Sequence, residues 1–228
     1  MYPYIRMAKE MWKFRRAPRL SILEPHVSTH RIWPWDLDPW RELNNGRTLT
    51  LFDLGRIPMS VRMGFDRVAK AKGWGITVAG NSTRYRKRVT VFTELTQISR
   101  VIGWDHRFLY IEQSMWRGDD CTSQQVIRSA ITSKSGIVAP IRALEALGQA
   151  QDSPALPEWV QDWIKAEDGR PWCLNTASLA QQVFDQCELA GHGNLSDWTD
   201  CFQADAEPVP ADLGRRSQIC GHLCPRTF

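Results

Sequence analysis

Residues 36–56, DLDPWRELNNGRTLTLFDLGR, gather the residue types of a water-activating site. Asp36 and Asp38 come first and the turn-forming cluster Asn44, Asn45 and Gly46 follows. Leu49, Phe52, Asp53 and Arg56 then recur at three- or four-residue spacing, the period of a helix. A carboxylate placed there can act as a nucleophile or a general base. The first N–H groups of a helix lack intrahelical acceptors and carry the positive end of its dipole, so they can hold a developing oxyanion. The same residues also serve a simpler purpose, because Asp and Asn are ordinary helix caps. On the residues alone both readings of Asp38, Asn44 and Asn45 stand. Asp36 is read as orienting the loop rather than reacting.

The elements that must position these groups follow from hydrophobic periodicity. His26 to Trp33 alternates polar and apolar residues and reads as a strand, so the acids sit where a strand gives way to a loop. From Arg47 to about Lys72 the pattern is helical. Leu51, Leu54, Met59, Val61, Phe65 and Val68 lie at helical spacing, Pro58 is expected to kink or break the helix near Ile57, and Gly73 ends it. Segments 76–84, 89–101, 107–116 and 126–135 are rich in Val, Ile, Thr, Phe and Tyr and are separated by turn signals, which predicts an antiparallel meander. Such a sheet must bury one face, and the helix after Asn45 is the sizeable apolar element able to cover it. The class is therefore α+β, with Ile141–Gly148 as a short closing helix. A linker with Pro154 and Pro157 follows, then a helix over 157–167 and a second over 179–189. Beyond Gly191 no period is sustained, and a helical and irregular extension, partly disordered, is expected.

Composition adds an asymmetry. Residues 1–150 hold 24 Lys and Arg against 13 Asp and Glu, whereas residues 151–228 hold 5 against 12. A basic body points to an anionic ligand: nucleic acid, an acidic membrane surface or a phosphorylated cofactor. The residues suggest three regions: a basic N-terminal helix over 1–20, a body over 21–148 and an acidic extension over 149–228. No apolar run approaches the roughly 18 residues of a membrane span. The basic N-terminus is a poor signal peptide. It reads either as a helix covering the domain or as a peripheral membrane-surface helix. Only Cys121 lies in the basic body, and five cysteines crowd the tail, so a reduced, cytoplasmic setting is expected. Cys220, His222 and Cys224 form a CxHxC cluster read as free thiols, since structural zinc takes four ligands in paired spacing.

Asp36, Asp38, Asn44, Asn45, Gly46 and Arg47, continued by Asp53, Gly55 and Arg56, resemble the D-x-D-x-x-x-H-[MV]-N-N-x-R-Y pattern of hotdog-fold acyl-CoA thioesterases of the 4-hydroxybenzoyl-CoA type. The resemblance spans roughly residues 24–148. It implies a curved antiparallel sheet wrapped around one long central helix, and a homodimer or dimer of dimers with sites at the interface. It also implies hydrolysis of an acyl-CoA or acyl-carrier-protein thioester without metal or bound cofactor. Asp38 falls on the catalytic carboxylate of that family, and Asn45 and Gly46 on the helix start that polarises the thioester carbonyl, with Asn44 beside them. Two positions depart from the pattern: Glu42 replaces the family's His and Thr48 its Tyr. An ionised Glu cannot donate a hydrogen bond. Glu42 is thus either a second base, assisting proton transfer, or the mark of a member that binds an acyl thioester without turnover. The basic run Arg84, Arg86, Lys87 and Arg88 is either a solvated hairpin tip or a clamp for the phosphates of coenzyme A. No recognised nucleic-acid motif is present, so no nucleic-acid partner is expected.

Overall fold

The order of strands in the sheet departs from their order in the chain. The computed structural model describes residues 2–170 and contains β1 (His26–Arg31), β2 (Gly75–Tyr85), β3 (Glu94–Trp104), β4 (Phe108–Arg117), β5 (Asp120–Ser133) and β6 (Gly136–Val138). They form one antiparallel sheet in the order β1-β3-β4-β5-β2, with β6 also on β5. The expected meander holds for β3, β4 and β5. For β2 it is corrected: this strand crosses to the far edge and pairs with β5, from Gly75 opposite Thr132 to Tyr85 opposite Ser123. A tight hairpin between β2 and β3 would need a two-residue turn such as Asn-Gly. The connection over 86–93 is longer and has no such pair. It runs back across the sheet end instead, bonding Leu43 N to Val89 O at 2.8 Å and Ile32 N to Thr93 O at 2.9 Å. Register shifts at Val78/Gly80, Val101/Gly103 and Met115/Trp116 bend the strands, which is how such a sheet curves.

Among the described residues there are five α-helices: α1 (Tyr4–Phe14), α2 (Asn45–Met63), α3 (Phe65–Lys72), α4 (Pro140–Ala146) and α5 (Glu158–Asp168). The break expected near Ile57 is not there. Pro58 sits buried inside α2, and the helix runs on to Met63. Proline removes one backbone donor, but packing outweighs that loss: Leu51, Phe52, Leu54, Met59 and Met63 are buried beneath the sheet residues Leu95, Val101, Ile111, Met115 and Ile127. Each such side chain stabilises the fold by roughly 1.5–3 kcal/mol. The chain breaks at Gly64 instead, whose φ of 87° is a left-handed conformation that glycine adopts without steric cost. Among the described residues the result is a hotdog arrangement, a curved sheet closed around α2.

A polar strip locks α2 to the sheet. Gln97 on β3 and Gln113 on β4, both buried, donate from Nε2 to the carbonyl of Phe52 at 2.9 and 2.8 Å. Gln125 on β5 donates to Gln113 Oε1 at 2.9 Å. The helix comes this close because Gly55 has no side chain: a Cβ there would lie 2.7 Å from Ser99 Oγ and 2.8 Å from Gln97 Cδ.

The chain divides into two compact units at Leu156/Pro157. Residues 149–156, expected to start the extension, pack with the sheet unit: Gln149 Oε1 accepts from Ile22 N at 2.6 Å and Ser153 Oγ from Trp104 N at 2.8 Å. In the second unit α5 follows the helix-starting Pro157, with Glu158 in its first turn and Lys165 in its last. The helix expected over 179–189 and the Cys220–His222–Cys224 cluster lie outside the described residues. Among the described residues no helix is long and apolar enough to cross a membrane.

Candidate functional site

Asp36 is the structural anchor of the acid loop. It ends a single 3-10 turn, Pro34–Asp36, and is fully buried. Its Oδ2 takes Arg6 Nη1 at 2.7 Å and Trp33 N at 3.0 Å, and its Oδ1 lies 3.2 Å from Arg47 Nε. Its carbonyl accepts Asn44 N at 3.0 Å. One carboxylate thus ties α1, the acid loop and the start of α2 together. A buried charge is tolerated when it is paired this fully.

Asp38 is placed differently. Its Oδ1 accepts Trp40 N at 2.9 Å and Glu42 N at 3.2 Å, folding the loop back on itself. Asp38 N donates to Glu42 O at 2.8 Å, and Arg41 takes a left-handed φ of 60° to complete the turn. The second oxygen, Oδ2, carries no hydrogen bond among the described residues. The turn therefore uses one oxygen of the carboxylate and leaves the other without a hydrogen bond.

Asn44 is the N-cap of α2, with Oδ1 accepting Arg47 N at 3.0 Å. The N–H groups of Asn45 and Gly46 carry no hydrogen bond among the described residues, as first-turn donors do. They open on two neighbouring cavities. Asn45 shares one, of about 430 Å³, with Asp38, Glu42, Thr48 and Arg86–Arg88. Gly46 and Asn44 line the other, of about 420 Å³, with Tyr2, Trp35 and Thr50.

The basic run is not a hairpin tip, because β2 does not pair with the strand that follows it. The crossing segment brings the run beside the acid loop. Arg88 Nε donates to Glu42 Oε2 at 2.8 Å. Glu42 is therefore engaged by a guanidinium through one oxygen of its carboxylate. The Glu42 carboxylate in turn holds the exposed Arg88 guanidinium above its ordinary pKa. Arg86 and Lys87 donate their backbone N–H groups to Thr122 O, and Lys87 Nζ lies 3.8 Å from Asp120 Oδ1. The Arg86 side chain is exposed toward the cavity. Arg84 stands on β2 opposite Gln124 and does not line this cavity.

Sequence reading missed a second polar group. Asp53 and Arg56 pair tightly on α2, and Arg56 Nη1 also donates to Gln113 Oε1 at 3.1 Å. The Tyr2 phenol lies near the Asp53 carboxylate, and burial together with that charge pushes its pKa up to about 12. Burial pulls the Arg56 pKa below its ordinary value against the Asp53 charge. Asp53 and Arg56 form the polar edge of a largely apolar cavity of about 180 Å³, walled by Met59, Met63, Val101, Ile111, Ile131 and Leu144. Tyr2 lines the Gly46 cavity and lies near Asp53, which lines the apolar one. The helical spacing of Asp53 and Arg56 was legible; the return of Tyr2 onto them was not. Among the described residues no group of three or more His, Cys, Asp or Glu is arranged to hold a metal.

Comparison with known proteins agrees with this architecture. The chain is 26% identical over 179 residues to Protein THEM6 of Xenopus laevis, covering 77% of this chain and 84% of that protein. The structure of the probable thioesterase YbaW from Escherichia coli superposes with a TM-score of 0.51 at 16% identity, over 55% of this chain and 98% of that one. The Staphylococcus aureus protein SAV2348, solved in complex with CoA, superposes with a TM-score of 0.51 at 10% identity, over 68% of this chain and 99% of that one. These likenesses show the hotdog fold. The model of the thioesterase-like superfamily matches residues 32–164, more than half of the chain. The chain belongs to the thioesterase-like superfamily.

Proposed function

We propose that the protein hydrolyses an acyl-CoA or acyl-carrier-protein thioester to a free acid and a thiol. The observation that carries this reading is that Asp38, with Oδ2 free of hydrogen bonds, and Asn45, the first residue of α2, line the same cavity. Asp38 Oδ2 attacks the thioester carbon, or takes a proton from the water that does. The oxyanion that forms accepts from the N–H groups of Asn45 and Gly46 at the positive end of α2, and collapse expels the thiolate; where Asp38 is the nucleophile, a water molecule then hydrolyses the Asp38–acyl anhydride, which frees the acid and restores the carboxylate. With Oδ1 held by two backbone donors, the carboxylate is already oriented before substrate arrives. Arg88, held by Glu42, and the exposed Arg86 and Lys87 give the cavity rim the charge that a phosphorylated carrier needs. Arg84 is left on the outer strand. The apolar cavity edged by Asp53 and Arg56 suits an acyl chain. The unpaired edge of β2, with Ile76 and Val78 exposed, supports edge-to-edge pairing in a homodimer.

Free thiol release from a panel of acyl-CoA chain lengths tests the reading. Wild type should turn over at least one, and Asp38→Ala and Asp38→Asn should each lose 100-fold or more in kcat. An Asp38→Ala protein as active as wild type would sink the mechanism. The ion pair at Glu42 favours a second reading, binding without turnover. Ligand-induced thermal stabilisation with no thiol release on any chain length would select it.

A further inference from the structure

Beside the acid loop the surface carries a group of aromatic side chains, several of which neither the core nor the proposed chemistry uses. The rings of Tyr4 and Tyr2 lie 5.0 Å apart, and Tyr2 and Trp35 line one cavity. Trp35 stacks on Trp33 at 5.4 Å, and Trp33 meets the edge of Phe92 at 6.0 Å. Three of these residues are open to solvent: Tyr4 is 72% exposed, Trp35 65% and Phe92 57%. The strip continues onto the outer face of α1, where Ile5 is 88% exposed and Trp12 66%. Exposed aromatic area on this scale leaves a large apolar surface in water, and contiguous patches of this kind mark contact surfaces.

The backbone supports the same conclusion independently. Phe92 has φ of 61°, a left-handed conformation that a bulky side chain rarely adopts. Its N–H donates to Ile32 O at 2.7 Å, which holds the strained turn in place. Strain kept at an exposed ring is a sign that the position of the ring matters.

Charge identifies the occupant. Residues 1–20 hold six Lys and Arg against one Glu, and that Glu10 is buried with its pKa raised by burial. Lys9, Lys13, Arg15 and Arg16 are exposed alongside Ile5 and Trp12. Tyr and Trp at the apolar–polar boundary with Lys and Arg around them are what a bilayer interface selects. A helix with a basic, aromatic outer face is drawn to anionic lipid before its rings insert.

We propose that α1 and the Tyr2–Trp35–Phe92 strip form a docking surface for an anionic lipid bilayer. Its geometry is coupled to the acid loop, because Arg6 on α1 holds Asp36 and Tyr2 lines the Gly46 cavity. The docked face is therefore the one on which the Gly46 cavity opens. The proposal does not depend on hydrolysis and stands if the protein only binds its ligand.

Sedimentation of the full chain with vesicles tests it. Binding is expected to phosphatidylcholine vesicles containing 30 mol% phosphatidylserine, and to fall at least tenfold with phosphatidylcholine alone. Phe92→Asp and Lys9→Glu/Lys13→Glu, each checked for native circular dichroism, should each lower binding at least tenfold. The lysine variant alters only exposed side chains, so it keeps the test decisive if Phe92→Asp misfolds. Brominated lipids should quench part of the tryptophan emission on docking. No binding to anionic vesicles overturns the proposal, as does binding unaffected by the lysine variant. A fall in oligomer size on Phe92→Asp, without vesicle binding by wild type, would assign the strip to a second copy of this chain instead.

Discussion

Acid should unfold this protein through two histidines that the fold keeps neutral. His26 is fully buried on β1, and its Nδ1 accepts from Arg62 Nη1 at 3.0 Å. Protonation would place a second positive charge against that guanidinium, with Lys13 also near. Burial, then Arg62 and Lys13, lower its pKa to about 4. His30 is buried two residues on, with Nε2 sharing a hydrogen with Ser28 Oγ at 2.9 Å. Burial, then Arg6 and Lys13, lower its pKa to about 3. The unfolded chain takes up a proton at each histidine near pH 6.5 while the folded chain does not. Stability is therefore present above that pH and falls as the pH drops, until the folded values are reached. At pH 5 each histidine has lost about 2 kcal/mol by this linkage, and the pair about 4 kcal/mol. That is a large fraction of the roughly 5–15 kcal/mol by which native proteins are stable. Urea unfolding at pH 7.5 and pH 5.0 measures it. His26→Gln and His30→Gln should each start less stable but lose about 2 kcal/mol less between the two pH values. Equal losses in wild type and both variants would refute the reasoning.

Two further substitutions probe how the site is held. Gly55→Ala should destabilise by about 2–4 kcal/mol, because the new methyl displaces Gln97 and leaves buried polar groups unpaired; a melting temperature within one degree of wild type would contradict it. Asp36→Ala should cost about 3 kcal/mol, since Arg6 and Arg47 lose their shared buried partner. If its urea midpoint matched wild type, Asp36 would not be the anchor described.

The sequence alone carried the kinds of elements and their faces. Alternation within segment 89–101 and the helical spacing after Asn45 are local properties, set by which side chains must leave water, and they predicted a sheet covered by that helix. The Asn44 cap was equally legible, because capping acts within three residues. Tertiary structure decided what depends on distant partners. Only packing could show that Pro58 stays within α2 and that the break falls at Gly64. Only the crossing of β2 to the far edge could place Arg88 against Glu42. Tyr2 reaches Asp53, and Arg6 reaches Asp36, across spans of chain that no periodicity encodes. Local spacing reports which groups a segment offers. Which of them meet is settled by the long-range contacts of the folded chain.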